Sequence, residues 1–320
     1  DEGMNMANLL TLAAAVPSKS VQATGWFLET AWLIPALPAL SFFLILFFGK
    51  KMKYKGAEFG ITAIALSLIL AICCVGQWMN QVDNASDNYK KNTPYETEEK
   101  YSETSSQVLE ENASAEPIEV ASAEQMNIYA AGEESGYEPV AVDAVIERFT
   151  WWETGGKKFQ VGIMVDGLAV MMLFVVTVIS LLVHIYSTDY VSGDRRYTHY
   201  FAFLSLFSAS MLFFVLSENI LQTIVGWELV GVCSFALIGH WWEEKPNSDA
   251  ALKAFLTNRV GDMGLLVGMI ILFWSAGSWS IVDINVAAIN NEIGKTTLLI
   301  ASLCLTAAVM SKSGQFILHT

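Results

Sequence analysis

Five charged residues lie within, or directly before, apolar stretches that are long enough to cross a membrane. They are Glu228, Lys253, Arg259, Asp262 and Lys312. A charge at the centre of a bilayer costs at least ~2.5–3.5 kcal/mol on insertion scales, so such residues are rare and usually mark proton pathways or ion pairs. Proton transfer and pairing between helices are therefore the two chemistries to consider.

Glu228 and Lys312 are the candidates for a proton relay. Burial pushes a carboxyl group toward its protonated form and an amine toward its neutral form, and a nearby opposite charge reverses both effects. Groups poised in this way exchange protons when a neighbouring charge changes. Neither residue has an opposite charge one turn away on its own predicted helix. We therefore predict that both carry protons.

The other charges are predicted to support this relay. Arg259 and Asp262 are three residues apart, so they share a helical face and form either a structural pair or part of the relay. Lys253 stands at the start of the same predicted helix. His319 follows Lys312 by seven residues, which places both on one face of a continuous helix.

The remaining polar residues in apolar stretches have simpler predicted roles. His184 ends a predicted span and is interpreted as a satisfied interfacial histidine, with proton transfer as the alternative. The cysteines lie in apolar runs without the spacing of metal ligands. They are Cys73, Cys74, Cys233 and Cys304. We predict no metal site and no cofactor-binding residue here, and no basic patch suited to nucleic acid.

Composition and hydropathy predict an all-α polytopic membrane protein. Hydrophobic residues make up 53% of the chain and charged residues only 16%, against about 25% in a soluble domain. About seven apolar segments approach the ~20 residues that a transmembrane helix needs. They cover residues 31–48, 59–79, 166–186, 199–216, 221–242, 254–274 and the chain from 297 onward.

An acidic segment divides these spans into two groups. Residues 1–30 are predicted to be an N-terminal tail, and 31–79 the first two transmembrane helices. Residues 80–160 hold 17 acidic and 6 basic residues, and their low hydrophobicity predicts a flexible insertion. Residues 161–320 would then hold transmembrane helices three to seven.

The basic loops predict the orientation of the chain. Four lysines lie at positions 50–55, between the first two spans. By the positive-inside rule this loop is cytoplasmic, so the acidic insertion faces the opposite side. Alternation of the spans places Arg195, Arg196 and Lys245 in the cytoplasm as well. The three loops therefore predict one orientation.

Five short segments resemble one protein family when they are taken in order. They are Asp166-Gly167-Leu168, His184-Ile185-Tyr186-Ser187, Gly226-Trp227-Glu228-Leu229-Val230-Gly231, the run from Lys253 to Asp262, and the run from Lys312 to Thr320. Their order and spacing resemble the N-terminal part of the proton-pumping, antiporter-like subunit L (chain 5 type) of respiratory complex I. Ile317 stands where that family has proline, which leaves the helix break expected there to Gly314.

The resemblance implies a fold, a function and a set of partners. The fold would be the start of a larger antiporter-like bundle of inverted repeats, continuing beyond Thr320. Glu228 and Lys312 would carry protons, supported by Lys253, Arg259, Asp262 and His319. The chain would act as a proton-translocating subunit of NADH-quinone oxidoreductase without a redox centre of its own. FMN, iron–sulfur clusters, NADH and quinone would belong to other subunits of a bacterial cytoplasmic-membrane complex.

Three other functions fit the same residues. The large subunit of a multisubunit sodium/proton antiporter and the membrane module of a hydrogenase share the antiporter-like unit. In a non-catalytic membrane scaffold, the buried charges would only pair with one another. The identity of the chains bound to this one would distinguish complex I from an antiporter.

Overall fold

The computed structural model describes residues 20–85, 141–154, 157–316 and 318–319. Its helices are α1 (Trp26–Glu29), α2 (Leu33–Phe48), α3 (Ala57–Asp83), α4 (Gly167–Tyr190), α5 (Tyr197–Val215), α6 (Ile220–Ile238), α7 (Lys245–Ala276), α8 (Ile281–Ile289) and α9 (Lys295–Lys312), with a 3₁₀ turn at Gly49–Lys51 after α2. Its strands are β1 (Ser20–Gln22), β2 (Ala141–Asp143), β3 (Val145–Thr154) and β4 (Lys157–Val165).

Seven helices in the described part of the chain are long and apolar enough to span a membrane. They are α2 (with the 3₁₀ turn that follows it), α3, α4, α5, α6, α7 and α9. Each corresponds to one predicted span, which confirms the polytopic helical fold. α7 has 32 residues and begins nine residues before its predicted start, at Lys245. The short helix α8 was not predicted, because its nine residues cannot span a membrane.

Side chains at the helix starts explain two of these boundaries. The Asp166 carboxylate accepts a hydrogen bond from the backbone N–H of Ala169 at 2.7 Å and so caps α4. The Asn219 side chain accepts one from the N–H of Gln222 at 2.8 Å and caps α6. Both caps satisfy amide groups that have no partner within the first turn of a helix.

Two small sheets accompany the helices. β1 pairs with β2 in parallel, and among the described residues 20–23, 79–85 and 141–143 belong to one unit. β3 and β4 form an antiparallel hairpin, in the larger unit that contains residues 24–78 and 144–320. Residues 1–19 and 86–140, which hold most of the predicted tail and insertion, lie outside the described residues.

The hairpin corrects part of the flexible insertion predicted for residues 80–160. α3 continues to Asp83, and residues 141–143, 145–154 and 157–160 lie in strands. The high charge of residues 80–160 as a whole favoured a flexible segment, although the last twenty residues have a strand pattern. The hairpin is held to the helix ends: the N–H of Gly162 donates to Gln222 Oε1 at 3.0 Å, and Asn219 Nδ2 donates to the carbonyl of Gln160 at 2.9 Å.

A buried ion pair adds to this attachment. Glu218, at the junction of α5 and α6, is only 1% exposed. Arg148 of β3 reaches it, with Nε 2.7 Å from Glu218 Oε1, and donates from Nη2 to Ser280 Oγ at 2.9 Å. The hairpin therefore secures both the α5–α6 junction and the start of α8.

Small residues let α7 and α9 pack backbone to backbone. A Cβ placed on Gly261 would lie 2.2 Å from Ser311 Cβ, and one on Gly264 would lie 2.5 Å from the carbonyl oxygen of Cys304. A Cβ on Gly268 would lie 3.0 Å from the side chain of Leu305. Glycines at this spacing allow the close helix approach that is common in membranes.

Gly261→Ala is expected to destabilise the protein. The added methyl group overlaps Ser311, and overpacking of this kind costs about 1–3 kcal/mol. The matched control is Gly76→Ala, because a Cβ at Gly76 has open space within 4 Å. Thermal unfolding of both variants in detergent should show a lower midpoint for Gly261→Ala alone. Equal midpoints would contradict the close packing of α7 on α9.

Candidate functional site

The predicted relay residue Glu228 pairs with Arg259 across the interface of α6 and α7. Arg259 Nη1 contacts Glu228 Oε2 directly, and the same nitrogen lies 3.6 Å from Asp262 Oδ2. The predicted Arg259–Asp262 pair is therefore present, but the shorter contact joins two helices. One guanidinium, which stays protonated at all physiological pH values, serves two carboxylates.

Asp262 is the most buried member of this group, with 6% of its surface exposed. Its Oδ1 accepts a hydrogen bond from the indole N–H of Trp227 at 2.6 Å. Trp227 directly precedes Glu228 on α6, so this hydrogen bond joins α6 and α7 a second time. Buried carboxylates are tolerated when such partners satisfy them.

Lys312 completes the group from α9. Its Nζ lies 5.5 Å from the ring centroid of Trp227, within the range of a cation–π contact. A Cβ built on Gly231 would be 3.5 Å from Arg259 Nη2 and 3.6 Å from Lys312 Nζ, so both cations approach the backbone of α6 at this glycine. Among the described residues, the ion pairs do not include Lys312.

α9 ends at Lys312 in a left-handed glycine cap. Gly314 has φ +61°, and its N–H donates to the carbonyl oxygen of Ser311 at 3.2 Å. The N–H of Gln315 donates to the carbonyl oxygen of Met310 at 2.9 Å. This pair of bonds is the Schellman motif. Gly314 therefore ends the helix, while Ile317, where the break was expected, lies outside the described residues.

Two predicted supporting residues lie apart from this group. Lys253 is exposed near the start of α7, and His319 is exposed beyond the end of α9. No hydrogen bond or ion pair among the described residues joins either of them to the group. The shared helical face predicted for His319 and Lys312 is corrected, because α9 ends at Lys312.

Comparisons with known proteins show what this region of the chain resembles. The family model described as NADH-ubiquinone oxidoreductase (complex I), chain 5 N-terminus, matches residues 151–201. The model described as NADH:quinone oxidoreductase/Mrp antiporter, TM, matches residues 217–320 and thus contains the whole group. These two parts of the chain are therefore similar to those families.

Curated relatives carry the same description. The NAD(P)H-quinone oxidoreductase subunit 5 of Physcomitrium patens chloroplasts is 42% identical over 183 residues, 55% of this chain and 25% of the relative. Chain 5 of the NAD(P)H-quinone oxidoreductase from Picosynechococcus sp. is 40% identical over 184 residues, 54% of this chain and 27% of the relative. The chain thus spans about a quarter of the length of these chain 5 relatives.

Solved structures show the same fold. A chain of the Mrp complex from Dietzia sp. DQ12-45-1b superposes with a TM-score of 0.61 at 18% identity, covering 91% of this chain and 24% of that one. A chain of the archaeal membrane-bound sulfane sulfur reductase superposes with a TM-score of 0.61 at 15% identity, covering 91% and 46%. At these identities the likeness establishes the fold alone.

His184 was predicted to be a satisfied histidine at the membrane interface, with proton transfer as the alternative. Its ring has hydrogen-bond partners, and it is fully buried within the protein where α3, α4 and α5 meet. Its Nδ1 lies 2.7 Å from the carbonyl of Ser180 and therefore carries the hydrogen, and its Nε2 lies 3.4 Å from Ser205 Oγ. Gly60 makes room for the ring, since a Cβ there would be 3.0 Å from His184 Cδ2.

A polar cluster outside the spans joins two loops on the side where α4 ends and α5 begins. Arg196 donates two hydrogen bonds to Glu243, at 2.7 and 2.5 Å, and these bonds lower the pKa of the Glu243 carboxyl. Trp241 Nε1 donates to Asp194 Oδ2 at 2.7 Å, and burial lowers the pKa of the neighbouring His240. The cluster fixes the loops that connect α4 to α5 and α6 to α7.

Proposed function

We propose that this chain belongs to the proton-translocating membrane subunit of an NADH-quinone oxidoreductase. The observation that carries the proposal is the meeting of Glu228, Arg259, Asp262 and Lys312 around Trp227, inside helices that are long enough to span a membrane. Among the described residues the Lys312 ammonium makes no ion pair, and it lies over the face of the Trp227 ring. A scaffold role, in which every buried charge is paired, accounts poorly for that arrangement.

Arg259 would couple the two relay residues. While Glu228 is paired with Arg259, the negative charge of the carboxylate offsets the permanent positive charge of the guanidinium. That guanidinium approaches Lys312 beside Gly231. If Glu228 is protonated or moves away, that offset is lost and like-charge repulsion favours release of the proton from Lys312 Nζ. Reprotonation of Lys312 would in turn favour the closed Glu228–Arg259 pair. Each cycle would move one proton through Lys312.

The rest of the reaction would take place elsewhere. We propose that NADH, FMN, the iron–sulfur clusters and quinone belong to other subunits, and that this chain contributes proton transfer alone. Its partners would be neighbouring antiporter-like membrane subunits in a bacterial cytoplasmic membrane. Among the described residues, no three His, Cys, Asp or Glu side chains are grouped so as to hold a metal ion.

Copurification tests this assignment. Affinity purification of the full-length protein from mild detergent is expected to retain subunits with flavin and iron–sulfur absorption, because chain 5-type subunits work within such complexes under this proposal. Mass spectrometry would identify the bound chains. Recovery of antiporter subunits without flavin or iron would instead assign the chain to a sodium/proton antiporter, and hydrogenase subunits would assign it to that module.

A further inference from the structure

A cavity lies on the side of the membrane where α2 ends and α3 begins. Its volume is about 610 Å³, and it opens between the α2–α3 loop and the α4–α5 loop. Its rim includes Lys53, Tyr54 and Lys55, together with Thr188 near the end of α4 and Ser192 of the α4–α5 loop. The charged group around Lys312 does not line it.

The boundaries of the helices place this cavity at the membrane surface. α2 ends at Phe48, α3 begins at Ala57, α4 ends at Tyr190 and α5 begins at Tyr197, so four spanning helices terminate around it. Its inner wall is formed partly by the apolar side chain of Ile61 in α3. A ligand in this cavity would therefore contact charged side chains at the opening and an apolar side chain farther inside.

Cations dominate the rim. Lys53 and Lys55 are exposed and belong to the loop that also carries Lys50 and Lys51. One carboxylate, Glu58, also lines the cavity; the backbone N–H of Tyr54 donates to its Oε1 at 3.5 Å, and its buried Oε2 has no hydrogen-bond partner among the described residues. Two lysines against one carboxylate leave the cavity lining with a net positive charge. Lysines at the end of a membrane span attract anionic headgroups.

The loop is held in place by its backbone. Lys55 has φ +51° and Gly56 has φ +98°, two successive left-handed residues that reverse the chain into α3. A Cβ on Gly49 would lie 2.7 Å from Thr198 of α5 and 3.2 Å from the carbonyl oxygen of Lys55, so the loop packs closely against α5. The positions of the rim lysines therefore follow from packing.

We propose that this cavity binds the phosphate-bearing headgroup of an anionic phospholipid. Lys53 and Lys55 would hold the phosphate, the hydroxyl groups of Thr188 and Ser192 would contact the glycerol region, and the first part of an acyl chain would lie along Ile61. The combination of a cationic rim, hydroxyl groups and an apolar inner wall at a membrane surface fits a lipid better than a free anion. The proposal does not rest on proton transport by this chain.

Photocrosslinking tests the site. The full-length protein in its native membrane complex would be reconstituted into phosphatidylcholine vesicles that contain photoactivatable phosphatidylglycerol, and labelled peptides would be located by mass spectrometry. We expect labelling near Ile61 and Thr188. The double change Lys53→Gln with Lys55→Gln should reduce it roughly tenfold or more, since two lysines are lost.

The matched control is the double change Lys50→Gln with Lys51→Gln, which removes equal charge from the same loop but not from the cavity lining. It should retain most of the labelling. An equal loss in both double variants would overturn the proposal in favour of general surface attraction, and so would unchanged labelling in both. Equal labelling by photoactivatable phosphatidylcholine would also overturn it. Displacement of the lipid by inorganic phosphate, beyond the effect of chloride at the same ionic strength, would assign the site to a free anion.

Discussion

Replacing Lys312 with methionine is expected to reduce proton translocation by the assembled complex roughly a hundredfold or more, the usual contribution of a proton-transferring side chain. Methionine has a similar volume and keeps a favourable contact with the face of Trp227. It lacks the titrating amine. Assembly should survive, because no ion pair of Lys312 is broken among the described residues. Proton uptake by inverted membrane vesicles and complex content on native gels are the two measurements.

The control for this substitution is Lys295→Met, at the exposed start of the same helix. It removes a lysine from α9 without touching the charged group, and it should pump normally. Lys312→Arg should fail as Lys312→Met does, because a guanidinium stays protonated throughout the cycle. Normal pumping by a well-assembled Lys312→Met complex would refute the role assigned to this lysine.

Glu228→Gln is expected to have the second largest effect. Removal of one partner from a buried ion pair usually costs about 3–5 kcal/mol when the other charge is left alone. Here Asp262 Oδ2 remains 3.6 Å from Arg259 Nη1, so the guanidinium keeps a carboxylate. The variant should therefore assemble at near-normal levels. It should pump poorly, because no Glu228 carboxylate remains to offset the charge of Arg259 near Lys312.

A double-mutant cycle separates this expectation from a structural role. The scaffold alternative predicts that Glu228→Gln lowers assembly and that adding Arg259→Met restores it. The relay predicts that pumping is lost in both variants whatever the assembly level. Glu243→Gln is the control, since its pair with Arg196 lies outside the spans, where an exposed ion pair contributes little to stability. If the double variant pumped normally, Glu228 would not be part of the relay.

The sequence was sufficient to predict the spans and to single out the buried charged residues that the structure brings together, and one physical reason explains both. Lipid imposes both a minimum helix length and a high cost on buried charge, so the spans and the exceptional charges are visible in one dimension. The partner of Glu228 was not predictable in the same way. Its contact with Arg259 depends on the relative depth and rotation of α6 and α7, and neither helix carries a sequence signal for them.

The burial of His184 was hidden for a related reason. The face of a soluble helix can be read from its alternation of apolar and polar residues. α4 is apolar all round, so its protein-facing side is not distinguished from its lipid-facing side. The face that packs inward is marked mainly by small hydroxyl side chains, including Thr177, Ser180 and Ser187 together with His184. Hydroxyl spacing along a span is therefore a signal that would have placed this histidine.

The glycine contacts divide the charged group between two closely packed pairs of helices. α7 and α9 meet through Gly261 and Gly264, and α5 and α6 meet where a Cβ on Gly226 would lie 2.9 Å from Phe214 Cα. Arg259 and Lys312 belong to the first pair and Glu228 to the second. Under the proposed relay, the two cations would keep their separation within the first pair, and the contact that opens and closes would be the one between Glu228 and Arg259 at the α6–α7 interface. Proton transfer would then require no helix to unwind.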